Sequence, residues 1–239
     1  MTCQKKILTK NNYFFLIILT SSLSWVSCSE IFFFDSKKKQ SFELVDSTIV
    51  KNGAFILRNG NNLVSKAILF GLNESIPISH GGFIVGASTL KNHGVESDVP
   101  DDPLNDWGII HSVSSKVSNK DGIQVCSLEE FIRHAPDSLI YVSEPKEFNI
   151  ETREKVISRL IKLLKSEVSF DHEFDHYNHE EIYCSELAFL VLEEELGIVQ
   201  LKNNIHKPMS ESLGFAWAFD STQFVFRQSK MRFLSHKDD

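Results

Sequence analysis

Cysteine is scarce in this sequence, because only Cys3, Cys28, Cys126 and Cys184 occur among 239 residues. So few thiols cannot provide the dense cross-links of a disulfide-stabilised scaffold. Cys3 and Cys28 lie in an N-terminal segment of different character, which leaves Cys126 and Cys184 for the main domain. These two can form one disulfide bond, or one of them can be a reactive thiol.

The sequence also lacks an excess of basic residues, since it has 25 Lys and Arg, 32 Asp and Glu, and a formal net charge of -7. No cluster of basic residues alternates with aromatic residues. Nucleic-acid binding needs Lys and Arg contacts to phosphates, so this composition argues against it. The 42% of hydrophobic residues suffice for the core of one large domain or two small ones.

The apolar run near the N-terminus, residues 13–19, is too short to cross a bilayer comfortably. It follows three basic residues, Lys5, Lys6 and Lys10, and precedes a stretch of small residues. This order is typical of a secretory signal peptide, which we assign to residues 1–27. We therefore expect an exported protein of the cell envelope or periplasm.

Two cleavage sites are compatible with this signal. Cleavage before Cys28, after Val26 and Ser27, would produce a lipoprotein tethered to the membrane through a lipidated Cys28, although Trp25 stands where Leu is usual. Cleavage before Glu30 would give an exported domain without this lipid. In either case the polar, lysine-containing residues 28–50 are interpreted as a linker.

Residues 51–235 have the apolar periodicity and turn residues of one globular domain. The pattern predicts strands at residues 54–57, 82–85, 107–113, 123–125, 139–142 and 222–227. It predicts helices at residues 63–70, 128–134, 150–168 and 184–196, and a long loop at residues 91–106. Short strands with two long late helices indicate an α+β domain in which an antiparallel sheet packs against helices.

Cys184 stands at the predicted start of an amphipathic helix. There it would face unpaired backbone N–H groups and the positive end of the helix dipole, both of which favour a thiolate. The same N–H groups could stabilise the oxyanion formed when a thiolate attacks a carbonyl. From position alone, a small buried hydrophobic residue is the favoured interpretation of Cys184.

A cysteine nucleophile needs a base, and His80 is a candidate. It precedes a predicted strand, and the neighbouring Gly81 and Gly82 would leave room for a sulfur atom and a substrate.

The motifs around these two residues resemble those of the circularly permuted papain-like hydrolases, the YiiX/YebB-like relatives of the NlpC peptidases. The resemblance is carried by residues 53–60 (GAFILRNG), 79–83 (SHGGF), 170–175 and 183–187 (YCSEL), and it spans residues 53–195. It implies a permuted papain-like fold in which the histidine precedes the cysteine, with Cys184 as nucleophile and His80 as base. The chain departs from the family pattern at Ala54, where Asp is common.

The resemblance also implies a third polar group that orients His80 from the next strand. The matching position in WGIIHSV is His111, where relatives often carry Glu. A histidine can orient His80 by accepting its proton, but it stabilises an imidazolium less than a carboxylate does. Glu96 and Asp98, in the preceding loop, are the alternatives.

Two residues flank the proposed nucleophile. Tyr183 could assist an oxyanion through its hydroxyl or could simply pack as an aromatic residue. Ser185 would supply one of the backbone N–H groups at the start of the helix.

Three histidines before this helix form a different pattern. His172, His176 and His179 would share one face of a helix and could then bind Zn²⁺. The segment has no His-Glu-x-x-His motif, so it lacks a metalloprotease signature. A solvated connector without a metal is the alternative interpretation, and we assign no metal.

These observations together predict a cysteine hydrolase or acyltransferase that acts on an amide or ester bond and needs no cofactor. Its substrate would be a small molecule, a peptide such as those of the cell wall, or an acyl-lipid. Two alternatives stay open: a non-catalytic binding module on the same fold, and a metal-binding envelope protein that uses the three histidines.

Overall fold

The computed structural model describes residues 42–44, 46–60, 65–66, 69, 77–100, 106–136, 138–175, 179–199 and 214–233. The predicted signal peptide, Cys28 and most of the predicted linker lie outside these residues. So do His176 and most of the helix predicted at residues 63–70.

Seven strands form one sheet in the order β1-β7-β6-β2-β3-β4-β5, with antiparallel neighbours throughout. The strands are β1 (Phe42–Leu44), β2 (Phe55–Arg58), β3 (His80–Gly86), β4 (Trp107–Val113), β5 (Gly122–Ser127), β6 (Leu139–Pro145) and β7 (Phe224–Phe233). Each of the strands β2 to β7 overlaps a predicted strand. Strand β1 was not predicted, because it pairs with the distant β7 and has no turn signal of its own.

Part of the predicted linker, residues 28–50, has regular secondary structure. Strand β1 lies within it, and a 3₁₀-helix follows at Ser47–Ile49. Ile49 and Val50 are buried in the core, where their apolar side chains are removed from water.

Four α-helices are described: α1 (Ala87–Asn92), α2 (Leu128–Arg133), α3 (Ile150–Lys165) and α4 (Cys184–Phe189). Helix α4 continues as a π-helix at Leu190–Glu195 and stops before Gly197, whose φ of 59° suits glycine. Helix α1 occupies the start of the predicted loop, whose remaining described residues are irregular. Within the described residues, no helix combines the length and apolar character that a bilayer crossing requires.

Side-chain caps fix the starts of two helices, as the sequence predicts. The Ser127 hydroxyl accepts a hydrogen bond of 3.1 Å from the backbone N–H of Glu130 at the start of α2. Asn149 Oδ1 accepts one of 2.9 Å from the backbone N–H of Thr152 at the start of α3. Each cap satisfies an N–H group that has no partner within the helix.

The two faces of the sheet belong to different cores. Because side chains alternate along a strand, Phe55 and Leu57 of β2 point to one face and Ile56 points to the other. Helices α3 and α4 pack on the first face, and α2 packs on the second. This arrangement confirms the α+β class with an antiparallel sheet packed against helices.

Candidate active site

Cys184 is the first residue of α4 and packs against the core on the first face of the sheet. The backbone N–H groups of Ser185, Gly81 and Cys184 itself bond to its sulfur and favour the thiolate. Burial nevertheless raises the pKa of the Cys184 thiol to about 11. The start of a helix alone predicts a lowered pKa, so desolvation outweighs the backbone contribution and the resting thiol is protonated.

His80 and His111 lie side by side on neighbouring strands. His80 is the first residue of β3 and His111 lies within β4. The Nε2 atom of His80 lies 2.8 Å from the Nδ1 atom of His111, which is hydrogen-bond distance. His111 therefore occupies the position predicted for the orienting group, whereas Glu96 and Asp98 are exposed side chains.

Gly82 makes the approach of the two rings sterically feasible. A Cβ atom at Gly82 would lie 2.8 Å from the Cβ of His111 and 2.7 Å from Cγ2 of Ile109. Both distances are shorter than carbon–carbon van der Waals contact. Any side chain at Gly82 would push β4 and His111 away from His80.

Cys184 and His80 meet at the beginning of β3 from different sides of the strand. His80 is paired with Arg58 and shares its face, whereas Gly81 faces Phe55 and Leu57, on the side of α4. The thiol bonds to the backbone N–H of Gly81, one peptide unit from the Cα of His80. His80 makes its ring hydrogen bond with His111, so a distance of about 4 Å or less between the sulfur and a His80 nitrogen stays a prediction.

Both imidazoles are neutral at neutral pH. Burial lowers the pKa of His80 well below its usual value, and the positive charge of Arg58 acts in the same direction. Burial and Arg58 lower the pKa of His111 to about 3. A neutral histidine can act as a base, so this charge state suits proton abstraction.

Arg58 belongs to the site, although the sequence reasoning did not single it out. It ends β2 opposite His80 and is only 9% exposed. An arginine that closes an otherwise apolar strand of the pattern Phe-Ile-Leu-Arg was the available signal. Its burial depends on packing that a single sequence does not reveal.

Tyr183 and Ser185 are both buried. The Tyr183 ring packs against that of Phe174, with 5.5 Å between the ring centroids, which fits the packing role. The backbone N–H of Tyr183 donates to Oε2 of Glu186 at 3.2 Å. This bond fixes the chain immediately before the nucleophile.

Glu186 is a buried acid in the first turn of α4. Its side chain is fully buried, and its Oε1 lies 2.9 Å from Nδ1 of His179. Burial raises the pKa of Glu186 to about 7, and the bonds from His179 and Tyr183 oppose that shift.

The described part of the structure does not bring together the three histidines that could bind a metal. His172 Nε2 lies 3.3 Å from Asp121 Oδ1, whereas His179 binds Glu186. His176 lies outside the described residues. Among the described residues, no three His, Cys, Asp or Glu side chains are grouped so that they could hold a metal ion.

Cys126 and Ser112 are two further residues near the site. Cys126 and Cys184 are both free thiols, so the disulfide bond that the sequence allowed is not formed. Burial raises the pKa of Cys126 far above its usual value, and the charge of Glu130 adds to this effect. The Ser112 hydroxyl donates to the carbonyl of Ile182 at 2.5 Å and ties the segment before Cys184 to β4.

Comparison with known proteins places the fold. No protein-family model matches the sequence, and no curated protein matches it. The fold is similar to that of the metalloprotein yiiX from Escherichia coli O157:H7, known from its crystal structure, with a TM-score of 0.51 and 17% sequence identity. The match covers 74% of this chain and 96% of that chain. This chain therefore has a YiiX-like α+β fold.

Proposed function

We propose that this chain is a cysteine hydrolase or acyltransferase that acts on an amide or ester carbonyl, with Cys184 as nucleophile and His80 as base. One observation carries the proposal: His80, which is paired with His111, begins β3, and the backbone N–H of the next residue, Gly81, bonds to the sulfur of Cys184. The histidine precedes the cysteine in the chain, as in a permuted papain-like hydrolase. The YiiX-like fold is compatible with this placement.

The hydrogen bond between the histidines determines which nitrogen of His80 accepts the thiol proton. The Nε2 atom of His80 is hydrogen-bonded to His111, so His80 must accept the proton at Nδ1. Nε2 of His80 then carries hydrogen and donates to Nδ1 of His111, whose own hydrogen is on Nε2. In this role His111 holds the His80 ring in the reactive tautomer.

The reaction begins from a neutral thiol and a neutral imidazole. His80 removes the proton of Cys184 as the sulfur attacks the carbonyl carbon, and the N–H groups at the start of α4 stabilise the oxyanion. The tetrahedral intermediate collapses, and His80 returns the proton to the departing amine or alcohol. Water or another nucleophile then attacks the acyl-enzyme and restores the thiol.

The substrate class follows from the expected location. An exported protein, held at the membrane through a lipidated Cys28 or released, meets cell-wall peptides, acyl-lipids and small acylated molecules. The proposed chemistry requires no cofactor, and the acidic composition disfavours nucleic acid.

Acylation with a p-nitrophenyl acyl ester, followed by peptide mass spectrometry, tests the proposal. We expect one acyl group on Cys184, its loss in Cys184→Ala, and slower acylation in His80→Gln. Cys126→Ala is the matched control and should acylate at the parent rate, because the thiol of Cys126 is more strongly disfavoured as a thiolate.

Equal acylation of both thiols, or acylation that does not depend on His80, would instead favour a binding module on this fold. Stoichiometric Zn²⁺ in the purified chain, lost when His172 and His179 are replaced, would favour the metal-binding alternative.

A further inference from the structure

Arg58 is a buried cation that is bonded to backbone carbonyls. Its Nη1 atom lies 3.1 Å from the carbonyl oxygen of Asn59 and 3.4 Å from that of His134. Its Nε atom is buried and has no hydrogen-bond partner among the described residues. The guanidinium carbon lies 4.8 Å from the centre of the Phe131 ring.

Arg58 and the two histidines all lie near the ring of Phe131. The Phe131 ring centroid lies 5.6 Å from that of His80 and 5.7 Å from that of His111. Arg58, His80 and His111 therefore surround one aromatic ring on the second face of the sheet. The groups that interact electrostatically with Arg58 come from β3, β4, β5, α4 and the residue after α2; they are His80, His111, Cys126, Cys184 and His134.

No carboxylate of the described residues forms an ion pair with Arg58. Glu130 acts on Cys126, and Arg133 acts on His134, as further charges of α2. The groups whose ionised forms would favour protonated Arg58 are the thiols of Cys126 and Cys184, both of which are protonated at neutral pH. A buried cation without a counter-ion is costly, so an anion formed nearby is stabilised by it.

We propose that Arg58 provides the positive charge of the site at neutral pH: it stabilises the thiolate of Cys184 and keeps His80 neutral. Arg58 is thus a positioning residue that acts through the charge states of two other groups. Its catalytic consequence rests on the proposed function, whereas its effect on the two groups does not.

Among the described residues, the charges that act on His80 come from Arg58, His111 and His134 and not from a carboxylate, and this gives the charge of Arg58 its role. His111 is neutral, so it cannot stabilise an imidazolium as an acid would. Negative charge on the sulfur is instead balanced by Arg58. A protonated His80, repelled by Arg58, is a strong acid that readily returns its proton to the leaving group.

Arg58→Met in the full chain tests the charge, with Arg58→Lys as the variant that retains it. Iodoacetamide alkylation from pH 7 to 12, resolved by peptide mass spectrometry, gives the thiol pKa of Cys184. NMR titration of the ring signals gives the pKa of His80. In Arg58→Met we expect both pKa values to rise, with alkylation of Cys184 at a fixed pH below its pKa slowed about tenfold for a shift of one unit. Arg58→Lys should restore both pKa values towards those of the parent.

If the Arg58→Met variant were merely less tightly packed, the two pKa values would shift in opposite directions. Exposure to water would raise the pKa of His80 but lower that of Cys184, because both would return towards their usual values. Arg133→Met is the matched control, since it removes a positive charge that acts on His134 and should leave Cys184 unchanged.

The proposal is overturned if Arg58→Met leaves the Cys184 pKa unchanged or lowers it, or if Arg133→Met raises it equally. Arg58→Gln, which keeps a donor for the Asn59 carbonyl, decides the matter if the Met variant does not fold. A chain that shows both shifts but forms no acyl-enzyme would support the role of Arg58 and reject the proposed function.

Discussion

The Nδ1 atom of His111 lies 2.8 Å from the Nε2 atom of His80, so one ring orients the other across two strands. Asparagine can place its Oδ1 where His111 has Nδ1, whereas leucine has no acceptor there. We expect His111→Leu to acylate Cys184 about a hundredfold more slowly than the parent, and His111→Asn to be less impaired. Stopped-flow release of p-nitrophenol measures both rates.

Thermal unfolding of the same two variants serves as the control, because a loss of rate in an unfolded chain is uninformative. Parent-like acylation in a folded His111→Leu variant would remove His111 from the mechanism.

Replacement of Gly82 by alanine should weaken the contact between the two histidine strands. The added Cβ would lie 2.7 Å from Ile109 Cγ2 and 2.9 Å from the Ile110 carbonyl oxygen, so the backbone must shift. Such overpacking costs roughly 1–3 kcal/mol in the free energy of unfolding. Urea denaturation measures this loss, and we expect acylation of Cys184 to slow as well.

Gly86→Ala is the matched control on the same strand. Its added Cβ would meet no atom closer than 3.6 Å, and the φ of Gly86 is -67°, which alanine adopts without strain. Equal destabilisation of the two variants would show that the space at Gly82 is not the cause.

The buried carboxyl of Glu186 should make stability depend on pH. Its pKa is about 7 in the folded chain and near the ordinary value of 4.5 when the chain is unfolded. The folded state therefore holds this proton more tightly, and its contribution to stability is lost as the pH rises from 4.5 to 7. The shift corresponds to roughly 3 kcal/mol.

Glu186→Gln removes the titration while keeping an acceptor for the Tyr183 N–H. We expect the stability difference between variant and parent, measured by urea unfolding, to grow from pH 4.5 to pH 8. Glu151→Gln serves as the control: Glu151 is exposed and its pKa is lowered through Lys155, so its effect should be small and opposite in sign. A flat difference for Glu186→Gln would contradict the assigned pKa.

Lipidation at Cys28 is tested in cells by membrane fractionation and by mass spectrometry of the mature N-terminus. A chain with more than one acyl group stays at the membrane, since each buried CH₂ contributes about 0.8 kcal/mol. We expect Cys28→Ala to abolish this association and Cys3→Ala to preserve it. A soluble parent chain beginning at Glu30 would reject the lipoprotein assignment but leave the proposed chemistry unaffected.

Local signals in the sequence were sufficient for much of the fold. Ser127 and Asn149 predicted the starts of their helices, because a cap depends on residues within one turn. The apolar pattern of residues 107–113 matches β4. His111 was predicted from the family resemblance, which implies an orienting group at this position of the strand. The six residues of α1 were missed because only Leu90 among them is buried.

Properties that depend on packing between distant segments were not predictable. The position of Cys184 at a helix start correctly suggested N–H bonds to the sulfur, but the depth of burial reversed the net pKa shift. Arg58 became part of the site only because β2 places it opposite His80 and beside Phe131. Neither the burial of Cys184 nor the placement of Arg58 can be inferred from the residues next to them in sequence.

Strand β4 joins both halves of the site through two consecutive residues. His111 reaches His80 on one face, while Ser112 holds the Ile182 carbonyl ahead of Cys184 on the other. Insertion or deletion of one residue in β4 ahead of His111 reverses the faces of both His111 and Ser112. Both connections would then be lost together, so β4 can change its side chains at several positions but cannot change its length.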